Sequence, residues 1–270
     1  MSTIFNIKRF GNYLAYDLNK AFSTYGLSAL ISGLIPVIMF VFYELFSLTL
    51  KQSLLPMPAA ARFVAFLIVS AIFMISAPTK IYGSITDKRA GSDWLMMPVS
   101  SFERFLSMML ILCIILPSTF FVLFFGSDFL LSVIAPVNYG DTVFYNGIKE
   151  ILSYLSSSEF NDAVTLSPAC FIIPWLEWCT ATLTFALGAI WFKERKVAKT
   201  ILVCLGIGIV FSLFVALLSN FISLDSFEYL DKLTPLFVQR MINLAINLRY
   251  ILSFSILLLL IYLRIRTLKH

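Results

Sequence analysis

Thr200-Ile201-Leu202-Val203-Cys204-Leu205-Gly206-Ile207-Gly208-Ile209-Val210-Phe211-Ser212-Leu213-Phe214-Val215-Ala216-Leu217 opens a stretch that runs to 223 without one charged residue. A helix needs about 20 apolar residues at 1.5 Å each to cross the roughly 30 Å hydrocarbon core of a bilayer. This stretch meets that length. Immediately before it stand Lys193-Glu194-Arg195-Lys196 and Lys199, a basic collar of the kind retained on the cytoplasmic side of a membrane.

Five further stretches of the same kind lie at 27–50, 62–82, 105–126, 168–192 and 244–263. Their apolar character is continuous rather than alternating, so helices are expected and a β-barrel is not. The 270 residues are 60% hydrophobic and only 13% charged, with a mean hydropathy of +0.91. A single soluble core of this size could not bury so much apolar surface. The expected fold is all-α, a polytopic membrane protein of six transmembrane helices.

With the N-terminus in the cytoplasm, the basic collars at Lys8, Arg9, Lys20, Lys80, Lys88, Arg89, Arg104, Lys193 to Lys199, Arg264, Arg266 and Lys269 fall inside. Lys51, Arg62, Lys149, Lys232, Arg240 and Arg249 are left outside or near the outer face. Both termini are then cytoplasmic. The net charge of +5 belongs to these collars and gives no reason to expect nucleic-acid binding. The first 25 residues lack the apolar core and cleavage site of a signal peptide.

Cys113, Cys170, Cys179 and Cys204 all lie in apolar stretches and read as small apolar filler. The single histidine is His270, which argues against histidine-ligated zinc and histidine base chemistry. There is no G-x-x-x-x-G-K-[ST] loop, no G-x-S-x-G elbow and no H-E-x-x-H. No catalytic, cofactor-binding or metal-ligating residue is assigned, and the chain is not expected to be an enzyme.

Residues 1–26 read as an interfacial amphipathic helix, with Ile4, Ile7, Phe10, Leu14, Leu18, Ala21 and Phe22 on one face and Asn6, Arg9, Asp17 and Lys20 mostly between them. Such a helix is either a plain anchor or a lever moved by a cytoplasmic partner. The six-span domain fills 27–270, with an inner loop at about 80–104 and outer loops at about 127–167 and 224–243. Phe144, Ile148, Ile151, Leu152 and Leu155 predict a short helix on the outer leaflet. The loop at 224–243 is open between paired short helices and a plain surface loop.

In the inner loop, Pro98 disfavours helix at Met97, and Ser100 with Glu103 three residues later forms a capping box. A helix should start near Ser101. The stretch Leu95-Met96-Met97-Pro98-Val99-Ser100-Ser101-Phe102-Glu103-Arg104-Phe105-Leu106 resembles the L-P-x-S-x-x-E-K-x-L element of bacterial type-2 ABC transporter permeases. Met97 stands where leucine is common, and Arg104 replaces lysine. The resemblance implies a half-transporter in the bacterial cytoplasmic membrane, paired as a homodimer or with a second permease. It also implies an ABC ATPase subunit in trans, which would use the ATP. The coupling contacts would be Phe10 to Phe22 and the loop from Ile85 to Glu103. In that loop Trp94 and Phe102 would be apolar anchors, Lys88, Arg89 and Asp93 the polar rim, and Glu103 the end of the contact. A non-transporting membrane protein, such as an immunity or assembly factor, would share this layout without an ATPase.

Two ionisable residues interrupt the later spans. Glu177, between Trp175 and Trp178, is either a carboxylate on a translocation path or an interfacial residue in an aromatic belt. Arg249 is expected either to pair with it or to snorkel outward. Thr180, Thr184 and Gly188 recur every fourth residue, a small-residue stripe for close helix packing within the chain or between copies.

Overall fold

Pro36 sets the first irregularity of the chain. It has no amide hydrogen for the Ser32 carbonyl, and its ring crowds that carbonyl. In the computed structural model, α1 (Ile7–Gly33) therefore stops and α2 (Ile35–Leu50) resumes after a bend of 44°. The structure describes residues 5–50, 57–87, 91, 94, 96–145, 169–221 and 235–268. Among these every regular element is helical.

After α2 come α3 (Ala59–Tyr82) and a single 3-10 turn, Gly83–Thr86. Next is α4 (Ser101–Ile134), whose middle, Ile111–Ile115, is a π-helical turn. Pro117 explains that turn: it cannot donate to Cys113, and a wider turn relieves the clash. A short helix α5 (Pro136–Tyr139) follows, then α6 (Ala169–Trp191), α7 (Lys196–Phe221) and α8 (Pro235–Thr267). The segments 146–168 and 222–234 lie outside the described residues. They contain most of the expected outer-leaflet helix and most of the second outer loop.

The described residues of the six apolar stretches fall on helix, apart from Leu34 and Phe192 at helix ends. Ala59–Thr86, Ser101–Ile134, Lys196–Leu217 and Asn247–Thr267 are each long and apolar enough to cross a bilayer, and the bent pair α1 and α2 makes a fifth candidate. The protein is thus an all-helical, multi-pass membrane protein by its composition and helix lengths. The N-terminal helix does not end at residue 26 as expected. Nothing at 26 interrupts its hydrogen bonds, and α1 continues to Gly33.

The chain forms two compact units. Met1–Ile81 with Pro98–Val164 make the first, and Tyr82–Met97 with Thr165–His270 the second. In the first unit α1 runs parallel to α4. The face it buries is Tyr13, Asp17, Ala21, Tyr25, Ala29 and Gly33, one residue per turn. Ala21, Ala29 and Gly33 among these are small, and Gly33 has no room for more: a Cβ there would lie 2.3 Å from the Cβ of Leu123. The large apolar residues Ile7, Phe22 and Leu27 stay exposed, available to lipid. Helices in a membrane gain by close backbone approach, which Ala21, Ala29 and Gly33 allow, while Tyr13 and Tyr25 fill the space between them.

Beside α1, which it meets where Phe73 lies 5.3 Å from the ring of Tyr25, α3 packs antiparallel to α4 through phenylalanines. The ring of Phe66 lies 5.1 Å from Phe124 and 5.4 Å from Phe125, and Phe73 lies 5.0 Å from Phe120. Tilted and edge contacts at these spacings add about 0.5–1.5 kcal/mol per pair beyond area burial.

In the second unit α6 packs on α7 and α8. Gly188 fits against Thr200, whose Oγ1 would be only 1.8 Å from an added Cβ. The turn between α6 and α7 is short enough to force Arg195 to φ 48°, the left-handed region. From Ile201 to Leu217 every side chain of α7 is exposed, an apolar surface all round.

Candidate functional site

The start of α4 is where sequence and structure converge. The Ser100 hydroxyl accepts from the Glu103 amide at 3.2 Å, and Glu103 Oε2 accepts from the Ser100 amide at 2.9 Å. The predicted capping box is present, and the helix begins at Ser101. The carboxylate does more than cap. Its Oε1 accepts from the Asn6 amide at 3.0 Å and from an Arg9 terminal nitrogen at 2.7 Å, while Arg9 Nε donates to Oε2 at 2.9 Å. Asn6 in turn caps α1, its Oδ1 accepting from the Lys8 and Arg9 amides. One side chain therefore holds the first turns of two helices together.

Glu103 is fully buried, whereas the Arg9 side chain is 28% exposed. A 34-residue helix is about 51 Å long and overhangs a hydrocarbon core of about 30 Å, and the uncharged stretch of α4, 105–127, begins only after the turn with Glu103 and Arg104. Burial alone would raise the Glu103 pKa. The hydrogen bonds from Arg9, Asn6 and Ser100 outweigh that and hold it down at about 2. The carboxylate is ionised at any physiological pH.

Around this junction Phe5 packs on Phe10 and Phe102 at ring distances of 5.7 and 6.1 Å, and Phe5 and Phe102 remain about half exposed. Phe102 is thus an outward-facing aromatic. Further along, Asp17 is buried and accepts from the Ser107 hydroxyl at 2.7 Å.

The rest of the inner loop differs from expectation. Trp94 is only 4% exposed, so it is an interior side chain and not a free anchor. An indole has more apolar area to remove from water than any other side chain here, and the fold takes it in. Lys88, Arg89 and Asp93 lie outside the described residues. Ile85 and Thr86 are buried in the second unit, and Lys196 donates to the Gly83 carbonyl with Asp87 at 3.7 Å. The turn after α3 is lashed to the start of α7.

Glu177 is exposed and accepts a hydrogen bond from the Tyr250 hydroxyl. It forms no ion pair with the exposed Arg249. Thr180 and Thr184 bond back to the carbonyls of Glu177 and Thr180, and Gly188 supplies the α6–α7 contact.

A second charged cluster went unforeseen. Arg62 and Asp128, 2% and 1% exposed, pair at 3.2 Å in the first unit. Asp128 also accepts from the Tyr139 hydroxyl at 2.6 Å and the Val143 amide at 2.8 Å. Arg62 donates to the Asp141 carbonyl at 2.8 Å and lies 4.2 Å over the Tyr139 ring. Gly140 makes the return possible, with φ 78° and ψ −162°, a conformation open to glycine almost alone. The missed signal was Phe124-Phe125-Gly126-Ser127-Asp128-Phe129-Leu130-Leu131, a lone charge with apolar residues on both sides. Ending the third span at 126 assigned it to a loop.

No protein-family model, curated protein or solved structure matches this chain. The functional reading therefore rests on the residues themselves.

Proposed function

We propose that the chain is the membrane subunit of an ABC-type exporter of the bacterial cytoplasmic membrane. It would form the translocation path as a dimer, with a separate ATP-binding subunit supplying the energy. The observation that carries this reading is the Glu103 junction. In permeases with the resembling motif, the N-terminal helix and the loop ending at this glutamate both meet the ATPase. Here one ionised, buried carboxylate joins those two elements, so displacement of either is passed to the other. Beside it Phe5 and Phe102 offer an exposed apolar contact.

The full reading has six spans, ending in α2, α3, α4, α6, α7 and α8, with both termini cytoplasmic. A cysteine placed at 196 on a cysteine-free background should resist impermeant reagents in intact cells, and labelling from outside would reverse the orientation. Glu177 faces the translocation path in this scheme. Glu177→Gln should lower transport with ATPase binding kept, and full transport by Glu177→Leu would make it an interfacial bystander.

The deciding experiment is co-purification in nanodiscs followed by paired ATPase and transport assays. A stoichiometric nucleotide-binding subunit is expected. Phe102→Ala should weaken its association by about thirtyfold, the 2 kcal/mol scale of a central aromatic. Glu103→Gln should leave ATP hydrolysis but uncouple it from transport. If no ATPase associates, the non-transporting immunity or assembly factor becomes the better account.

A further inference from the structure

Between α6, α7 and α8 of the second unit lies a groove of about 700 Å³, at the depth of the candidate spans. Its walls include Leu187, Val203, Ile207, Ile256 and Leu260. Three hydroxyls also line it, and each has its proton committed to its own helix, so none can donate to an anion. Thr184 donates to the Thr180 carbonyl, Thr200 to the Lys196 carbonyl and Ser253 to the Tyr250 carbonyl. The groove thus presents hydrocarbon and little else, which suits an acyl chain.

One end of the groove is different. Trp191 and Phe192 close it, and each ring supports a cation: the Arg264 guanidinium lies 5.3 Å over Trp191, and the Lys199 ammonium 6.0 Å over Phe192. Among the described residues neither cation has an ion-pair partner. Arg264 Nε is moreover shielded from solvent with no hydrogen-bond acceptor. Close in sequence, Lys193, Arg195 and Arg266 add positive charge against the acid Glu194, while Asp87 lies against Lys196. A buried donor without an acceptor is unfavourable, and an anionic oxygen would satisfy it.

We propose that this unit binds an anionic phospholipid, one acyl chain in the groove and the phosphate between Arg264 and Lys199. Basic pockets between transmembrane helices at the cytoplasmic face are a known physical solution for anionic headgroups. Two features must coincide for this ligand, a dry groove and an uncompensated cation pair at its mouth, and both are present on the same three helices. The proposal does not depend on the exporter reading.

The test uses the full-length protein in nanodiscs of phosphatidylglycerol or phosphatidylcholine with identical chains. Native mass spectrometry after release into mild detergent reads retained lipid, and thermal melting reads protection. Phosphatidylglycerol should be retained and should raise Tm, while phosphatidylcholine and inorganic phosphate should do neither. Arg264→Gln and, separately, Lys199→Gln should weaken retention roughly tenfold, the factor commonly supplied by one charge-assisted hydrogen bond. Cys204→Trp, which fills the groove from its lining, should abolish retention with every charge intact. Arg266→Gln removes the same charge from an exposed position and should retain lipid as the parent does. Equal retention of both lipids would leave a groove without headgroup recognition, and equal protection by inorganic phosphate would leave an anion site without a lipid. Equal loss in Arg266→Gln and Arg264→Gln would leave diffuse electrostatics. Any of the three overturns the proposal.

Discussion

Among the described residues of the first unit, two arginine–carboxylate pairs bridge helices at opposite ends of α4, and they are built differently. Arg62 and Asp128 are both sealed from solvent, and the turn at Gly140 brings an added carbonyl, a phenol and an amide to them. At Arg9 and Glu103 only the carboxylate is sealed, and the arginine side chain stays partly exposed. A closed pair resists any rearrangement, because opening it strands a charge in a medium of low dielectric. An open one can exchange its arginine for water at lower cost. The comparison assigns the rigid end of the unit to Asp128 and the responsive end to Glu103.

The largest effect is expected from Arg62→Met, which leaves Asp128 buried and uncompensated. It should cost about 3–5 kcal/mol, read as a shift in the denaturing-detergent midpoint. Adding Asp128→Leu should restore part of that loss, since it removes the stranded charge but leaves the Tyr139 hydroxyl and the Val143 amide without their acceptor. A single variant costing under about 1 kcal/mol would mean that water already reaches the cluster. Gly140→Ala should come next, at about 1–3 kcal/mol for the strained backbone, measured in the same titration.

At the other end Arg9→Met should cost about 1–3 kcal/mol and act locally. Limited proteolysis should speed up before residue 20, with the Asp128 cluster unaffected. Acid gives a second route to the same end. Glu103 titrates at about 2 in the folded protein against 4.5 without the fold. Its stabilisation is therefore complete above 4.5 and drains away as the pH falls toward 2. The parent should lose protease resistance at the N-terminus over that window, while Glu103→Gln should show a flat profile. The smallest effect is expected from Ser100→Ala, about 1 kcal/mol from the lost cap, with Arg9 still bound.

The helices were legible because bilayer thickness imposes a length on apolar runs, and the Ser100–Glu103 box was legible because capping is local in sequence. Tertiary use of charge was not. Asp17 reads as a solvated residue on a polar face, yet it is buried against Ser107, because small neighbours such as Ala21 bring α1 close to α4. Asp128 reads as a loop residue until α4 is seen to continue to Ile134. Trp94 reads as a surface anchor because loop position suggests exposure and says nothing of the interior that receives it. Glu103 was singled out for a partner, but its grip on Asn6 and Arg9 spans more than ninety residues and leaves no periodic trace.

That last separation has a consequence for synthesis. Asn6 to Glu103, Arg9 to Glu103, Asp17 to Ser107 and Gly33 to Ser127 are 97, 94, 90 and 94 residues apart. At roughly 5–20 residues per second of translation, α1 waits about 5–20 s before its partner leaves the ribosome. During that interval its buried stripe, Asp17 included, has no α4 to pack against. The chain must also pass through Tyr82–Met97, a segment of the other unit, before Pro98 returns it to the first. The N-terminal helix is the first element made and among the last in its unit to be secured.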